Sequence, residues 1–148
     1  VSECGQPSVT PAAPSPAVPA HFQSFLAFDF GARRTGVASG NRLLGTATPL
    51  RTIVAHTRED RLAAAQAQVR EWQPQALVVG VPFHPDGASH DNTARARRFA
   101  RQLGERCRLP VYEVDERYST TEALADGAKD ADGAAACIIL EQFLRSLT

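Results

Sequence analysis

The run Ala76-Leu77-Val78-Val79-Gly80-Val81 carries no polar side chain. A strand with one wet face alternates apolar and polar residues, whereas an unbroken apolar run needs cover on both faces. Helices on either side of a parallel sheet supply that cover, so this run points the chain to an α/β architecture. The rest of the pattern agrees. Ser24–Phe30 reads as a second buried strand, followed by a turn at 31–34. Thr35–Ser39 is a further strand, Gly40-Asn41 a hairpin turn, and Leu43–Ala47 its return. Residues Leu62, Ala65, Val69 and Trp72 share one face of an amphipathic helix over Arg58–Trp72. Thr57 with Asp60 gives that helix a capping-box-like start, and Pro74 stops it. The loop Pro82–Asn92 is rich in turn residues. Thr93 can cap a helix to about Arg108, and Pro110 leads into a strand at Val111–Val114. Ser119 and Glu122 open a short helix, 127–131 breaks it, and the last helix spans Asp132–Leu147. The expected fold is a mixed five-stranded sheet flanked by helices. Its first three strands form an antiparallel meander, and two more lie parallel to the first. Sites in such sheets form at the carboxyl ends of central strands.

The chain has 148 residues. Five of its ten prolines lie in residues 1–23, where Glu3 is the only charge. That segment cannot bury enough surface to offset its ordering entropy, so a disordered tail is expected before one domain at 24–148. Two lobes closing over a nucleotide do not fit in this length. The 16 basic residues balance 16 acids, which excludes reliance on bulk positive charge but says nothing of where the charges sit. All the bases but Lys129 are Arg. Arg forks bidentately onto phosphate, although codon usage in a GC-rich genome gives the same bias. Cys4, Cys107 and Cys137 have neither CxxC nor metal-ligand spacing, which suits a reducing, cytoplasmic setting. No apolar run approaches the ~20 residues of a membrane span, so no membrane partner is expected. The start of the chain has no basic, then hydrophobic, signal pattern.

The acids are placed unusually. Asp29 interrupts the apolar Phe25-Leu26-Ala27-Phe28-Asp29-Phe30 at a strand end, where an uncompensated carboxylate is costly. It could cap the turn or pair with Arg33 or Arg34; a divalent cation would also supply the missing charge. Asp115 and Glu116 follow another strand, expected at the same sheet edge. Asp130 and Asp132 open the last helix, where the macrodipole favours acids in any case. Carboxylates from a strand, a strand end and a helix start suit a two-ion Mg²⁺ or Mn²⁺ site, because hard cations take oxygen ligands. Two such ions can activate water and stabilise the leaving oxygen of a phosphodiester. Asp-x-Gly also occurs in ATP-binding modules, a reading that rests on that motif alone.

Five blocks carry a family resemblance: DFGARRTGVASG, ALVVGVPFHPDG, TARARRFARQL, VYEVDERYSTTEA and DGAAACIILEQFL. In this order and spacing, across about residues 24–147, the chain resembles the YqgF/RuvX family, proteins called Holliday junction resolvases or pre-16S rRNA nucleases. The resemblance implies an RNase H-like fold related to the RuvC resolvases. It also implies an acidic triad of Asp29, Glu116 and Asp132, which selects Glu116 over Asp115 and Asp132 over Asp130. Metal-dependent hydrolysis leaving a 5′-phosphate and a 3′-hydroxyl is the implied chemistry, with precursor 16S rRNA favoured over four-way DNA junctions. This chain departs from the pattern at Ala32, Arg33, His84 and Tyr118, and its segment between Glu122 and Asp132 is short.

The helix from Thr93 gathers Ala96, Phe99, Ala100, Leu103 and Cys107 on one face, with Arg97, Arg101 and Arg108 opposite and Arg98 nearby. Six Arg fall between Arg95 and Arg108, against Glu105 alone. This is either a solvated helix face or one that tracks phosphates. Arg33, Arg34 and Arg117 would join it beside the triad. His84 could touch substrate from its strand-end loop; the His84 and His90 spacing matches no firm metal template. Without an aromatic ladder, base stacking is not indicated, and shape and backbone recognition of structured nucleic acid is. Junction resolution would need two cuts and so a homodimer. A non-catalytic nucleic-acid or transcription-associated module would keep the Arg face without needing the triad.

Overall fold

A computed structural model describes residues 18–31, 33–81, 91–115 and 131–147. The strands are β1 (Ser24–Asp29), β2 (Arg34–Asn41), β3 (Thr46–Pro49), β4 (Ile53–Val54), β5 (Ala76–Val81) and β6 (Val111–Asp115). The helices are α1 (Arg58–Trp72), α2 (Asp91–Cys107) and α3 (Ala131–Arg145). The sheet runs β3-β2-β1-β5-β6, with β4 also pairing on β2. The pairs β1–β2, β2–β3 and β2–β4 are antiparallel, and β1–β5 and β5–β6 are parallel. The mixed sheet expected from the sequence is therefore present, with a sixth, two-residue strand. The short helix expected from Ser119 lies outside the described residues.

The pleat divides the core in two. Leu26, Phe28, Phe30, Val37, Leu77, Val79 and Val81 face α1 and α2, against Leu62, Ala65, Val69, Ala96, Phe99 and Leu103. Phe25, Ala27, Ala38, Val78 and Tyr112 face α3, against Ala136, Ile139, Leu140 and Phe143. β5 is buried along its whole length, as its unbroken apolar run requires. Successive side chains alternate between the faces, so Asp29 follows Phe25 and Ala27 toward α3, while Phe30 faces α1 and α2. The expected tail, residues 1–23, lies outside the described residues through 17. Beyond that point, Val18 and Phe22 pack against the α3-side core.

The second hairpin differs from its expected register. β2 runs on through Gly40 to Asn41, and the return strand is Thr46–Pro49 rather than Leu43–Ala47. The Asn41 carboxamide oxygen accepts from the Leu43 and Leu44 amides at 2.7 and 3.3 Å, closing an Asx turn. Gly45 completes the loop at φ +71°, which only glycine adopts freely. Leu43 and Leu44 are 84% and 72% exposed, so the apolar pair that suggests a strand is the loop itself.

Thr57 caps α1 as expected, its hydroxyl accepting from the Asp60 amide at 3.1 Å. Trp72 does not share the buried face of Leu62, Ala65 and Val69. It is 47% exposed, because the helix ends there and Gln73 turns away in the left-handed region at φ 49°. The Gln73 amide donates to the Val69 carbonyl at 2.7 Å. A side chain in this region costs about 1 kcal/mol, part of which glycine returns through unfolded-state entropy. Gln73→Gly is expected to stabilise the chain by roughly 0.5 kcal/mol, read as a higher denaturant midpoint with unchanged slope.

α2 starts at Asp91, two residues before the expected Thr93 cap, and ends at Cys107. Arg106 forks onto Glu59 at 3.0 and 2.6 Å, joining α2 to α1. Burial, above all, pushes the Cys107 thiol above its ordinary pKa, against a smaller opposing pull from Arg70 and Arg106. Less of it is then thiolate at pH 8 than in an unfolded peptide. Peptide mapping after timed alkylation should find Cys107 modified more slowly in the folded chain than in urea.

Candidate active site and basic cavity

Three chain segments converge at the carboxyl edge of β1. Asp29 is the last residue of β1 and lies opposite Gly36 of β2 and Gly80 of β5. Neither neighbour has a side chain, which leaves room beside the carboxylate on the α3 face. The first turn of α3 fills part of it. A Cβ on Gly36 would fall 1.9 Å from the Asp132 carbonyl oxygen and 2.4 Å from its carbon. Only glycine at 36 lets the α3 start sit on β2 beside the register position of Asp29. Four residues on, Gly40 allows the same approach, with Leu140 occupying the space.

The turn after β1 is equally tight. A Cβ on Gly31 would meet the Arg34 carbonyl oxygen at 2.2 Å, and the buried Thr35 hydroxyl donates to the Gly31 carbonyl at 3.3 Å. The turn sends its two arginines to different places. Arg34 donates through Nε to Asp132 Oδ2 at 2.6 Å, with the side chains 56% and 30% exposed. An ion pair this open adds roughly 0–1 kcal/mol to stability. Its effect is local, since it puts a cation on a carboxylate oxygen at the start of α3.

Arg33 lines a cavity of about 330 Å³ on the other face of the sheet, with His56, Arg58, Arg61, Arg95, Arg98, Phe30 and Phe99. Arg61 is 8% exposed, and its guanidinium carbon stands 5.0 Å from the Phe30 ring centroid. Burial first, then the charges of Arg95 and Arg58, lower the Arg61 pKa from its usual value. Among the described residues lining this cavity there is no acid.

The expected site residues are thus distributed. Arg34 and Asp132 pair on the α3 side of the sheet, beside Gly36, the register partner of Asp29. Arg33 and Arg98 lie in the cavity on the α1/α2 side. Arg97 and Arg101 are exposed on another flank of α2, where Arg97 Nε is 3.5 Å from Glu113 Oε1. His84, Glu116 and Arg117 lie outside the described residues. Among the described residues, no three His, Cys, Asp or Glu side chains gather as a metal site. Asp29 and Asp132 are hard oxygen donors, and His56 lies across the sheet from them. That donor chemistry suits Mg²⁺ or Mn²⁺ better than zinc. Sequence reasoning missed Arg58, Arg61 and Arg95 as a group. Its available signal was a pair of arginines three residues apart in each of two helices, Arg58/Arg61 and Arg95/Arg98, which puts each pair on one helix face.

A mixed sheet in this order, with helices on both of its faces, is the fold of the RNase H-like class. Solved structures that share the fold include two resolvases. Thermus thermophilus RuvC, solved in complex with a Holliday junction substrate, matches at TM-score 0.51 and 18% identity, over 84% of this chain and 94% of that one. The fowlpox virus resolvase, solved with Holliday junction DNA, matches at TM-score 0.57 and 9% identity, over 84% of this chain and 98% of that one.

Within that class, the chain belongs to the RuvX family, whose model, described as "Holliday junction resolvase", matches residues 23–146. A relative from Polaromonas sp. is 68% identical over 132 residues, 89% of this chain and 95% of that protein. One from Albidiferax ferrireducens is 67% identical over 130 residues, 88% of this chain and 83% of that protein. Both relatives bear the name "Putative pre-16S rRNA nuclease". Among the described residues, no helix is long and apolar enough to cross a membrane.

Proposed function

We propose that this chain is a metal-dependent nuclease that hydrolyses phosphodiesters in structured nucleic acid, and that it trims the 5′ end of precursor 16S rRNA in the cytoplasm. The observation that carries the reading is the meeting of the Asp29 strand end with the Asp132 helix start at Gly36. Two relatives about two-thirds identical, named for pre-16S rRNA, support the substrate.

Asp29, Glu116 and Asp132 would hold Mg²⁺ or Mn²⁺. The choice of Glu116 over Asp115 as the third ligand follows from the family resemblance alone. When bound, a pair of such ions lowers the pKa of an attacking water and stabilises the leaving oxygen. The chain's own residues do the rest. Arg34 offsets the charge of Asp132 before metal arrives. Arg33, Arg34 and Arg117 would hold the backbone of the substrate, His84 would touch it, and Arg97, Arg98 and Arg101 would extend the contact along α2. The products carry a 5′-phosphate and a 3′-hydroxyl.

Cleavage of a four-way DNA junction is the second reading, favoured by the description of the family model. It requires two sites, hence a homodimer. Precursor 16S rRNA, plain duplex and a four-way junction, each offered with Mn²⁺ to wild type and to Asp29→Asn, separate the two. Precursor cleavage by a monomer, lost in the variant, supports the RNA reading. Paired nicks in the junction by a dimer would replace it. No metal-dependent cleavage of any substrate would leave the non-catalytic module.

A further inference from the structure

The cavity between α1 and α2 gathers more positive charge than the catalytic reading uses, since that reading takes only Arg33 and Arg98 from it. Five arginines and a histidine converge on a floor made by Phe30 and Phe99, whose rings are 5.5 Å apart. Like charges held this close repel, and an apolar floor reduces the screening that water provides. Two of the five, Arg58 and Arg61, lie in the first turn of α1, where the macrodipole already disfavours cations. Among the described residues that line the cavity, no carboxylate offsets these five cations. The repulsion is relieved when an anion enters, and a phosphate is the anion that guanidinium forks match best.

The position narrows the ligand. Phe30 follows Asp29 directly, and the two residues face opposite sides of one strand. Arg33 and Arg34 occupy adjacent positions of the next turn, one lining the cavity and the other paired to Asp132. A strand crossing the carboxyl edge of β1 can therefore present one phosphate to the carboxylates and another to the cavity.

We propose that this cavity is a phosphate-binding subsite that holds a phosphate of the substrate strand away from the scissile bond, with Arg58 and Arg95 as its outer clamps and Arg61 at its base. The proposal rests on the nuclease reading for its substrate and on the cavity alone for its chemistry. The phosphate is either internal to the strand or a terminal monophosphate.

The test uses the full chain without metal, binding single-stranded RNA with a 5′-phosphate or a 5′-hydroxyl across a salt series. Wild type is compared with an Arg58→Gln/Arg95→Gln double variant, whose two sites are exposed, and with Asp29→Asn. The double variant should bind about 10-fold more weakly, and its slope of log affinity against log salt should be shallower by roughly one. In turnover with Mn²⁺ its KM should rise while kcat changes little. If the loss is confined to the 5′-phosphorylated strand, the subsite takes a terminal phosphate; an equal loss on both assigns it an internal one. Inorganic phosphate should raise the Tm of wild type and of Asp29→Asn, but not that of the double variant. Equal affinity, salt slope and phosphate response in wild type and double variant would overturn the subsite. Arg58- and Arg95-dependent binding in a wild type that cuts nothing would instead remove the nuclease reading and leave the subsite standing.

Discussion

Asp29→Asn should abolish cleavage while leaving the fold in place. The substitution keeps the shape of the side chain and removes its charge, at a position whose cross-strand neighbours, Gly36 and Gly80, present no side chain to crowd it. An amide is a poor ligand for a hard dication, so on the proposed reading the change removes a metal-binding oxygen. Losing even a hydrogen-bond partner of a metal ligand costs about 10–100-fold in affinity or activity. Losing the ligand itself should lower kcat by more than roughly 100-fold. Two accompanying measurements separate chemistry from structure. The Tm without metal should stay within a few degrees of wild type, and the rise in Tm on adding Mn²⁺ should shrink. A variant that cuts at the wild-type rate would remove Asp29 from the site.

The sequence disclosed the elements whose physics is local. β1 and β5 are legible because both of their faces are apolar, and α1 because Thr57, Leu62, Ala65 and Val69 give its start and its buried face. β3 was displaced because Leu43-Leu44 looks like strand, whereas the Asn41 side chain closes a turn over those residues. β4 has two residues, too few for any periodicity, and exists because β2 offers Arg34 and Thr35 as partners. Trp72 fits the apolar face of α1 on a helical wheel, yet the helix ends before that face can cover it. The site shows the same division. Asp29 stands out because it interrupts an apolar run. Asp132 and Asp130 are equivalent to any local argument, since the macrodipole explains both. What distinguishes Asp132 in space is Gly36, a strand residue distant in sequence. The cavity was hidden for the same reason, because Arg58/Arg61 and Arg95/Arg98 meet only once α1 and α2 pack together.

Gly36→Ala should therefore damage the protein in a way that Gly40→Ala does not. Both glycines lie on β2, face α3 and leave no space for a methyl group. The obstacle differs. At Gly40 the nearest atom is the Leu140 Cδ2, at 2.6 Å, the end of a side chain that can rotate. At Gly36 it is the Asp132 carbonyl, which moves only if the first turn of α3 moves. Overpacking of this kind costs about 1–3 kcal/mol, so both variants should lose stability, and Gly36→Ala the more, with a Tm lower by roughly 5 °C or more. Activity should separate them sharply. A displacement of ~1 Å in a reacting group can cost ~100-fold in rate. Gly36→Ala should approach that loss even at temperatures where it is fully folded, because Asp132 is carried away from Asp29 and from Arg34. Gly40→Ala, at the far end of the strand, should keep nearly all of its turnover. Equal activity in the two folded variants would mean that the position of the α3 start does not govern the chemistry, and Asp132 would lose its place as a ligand.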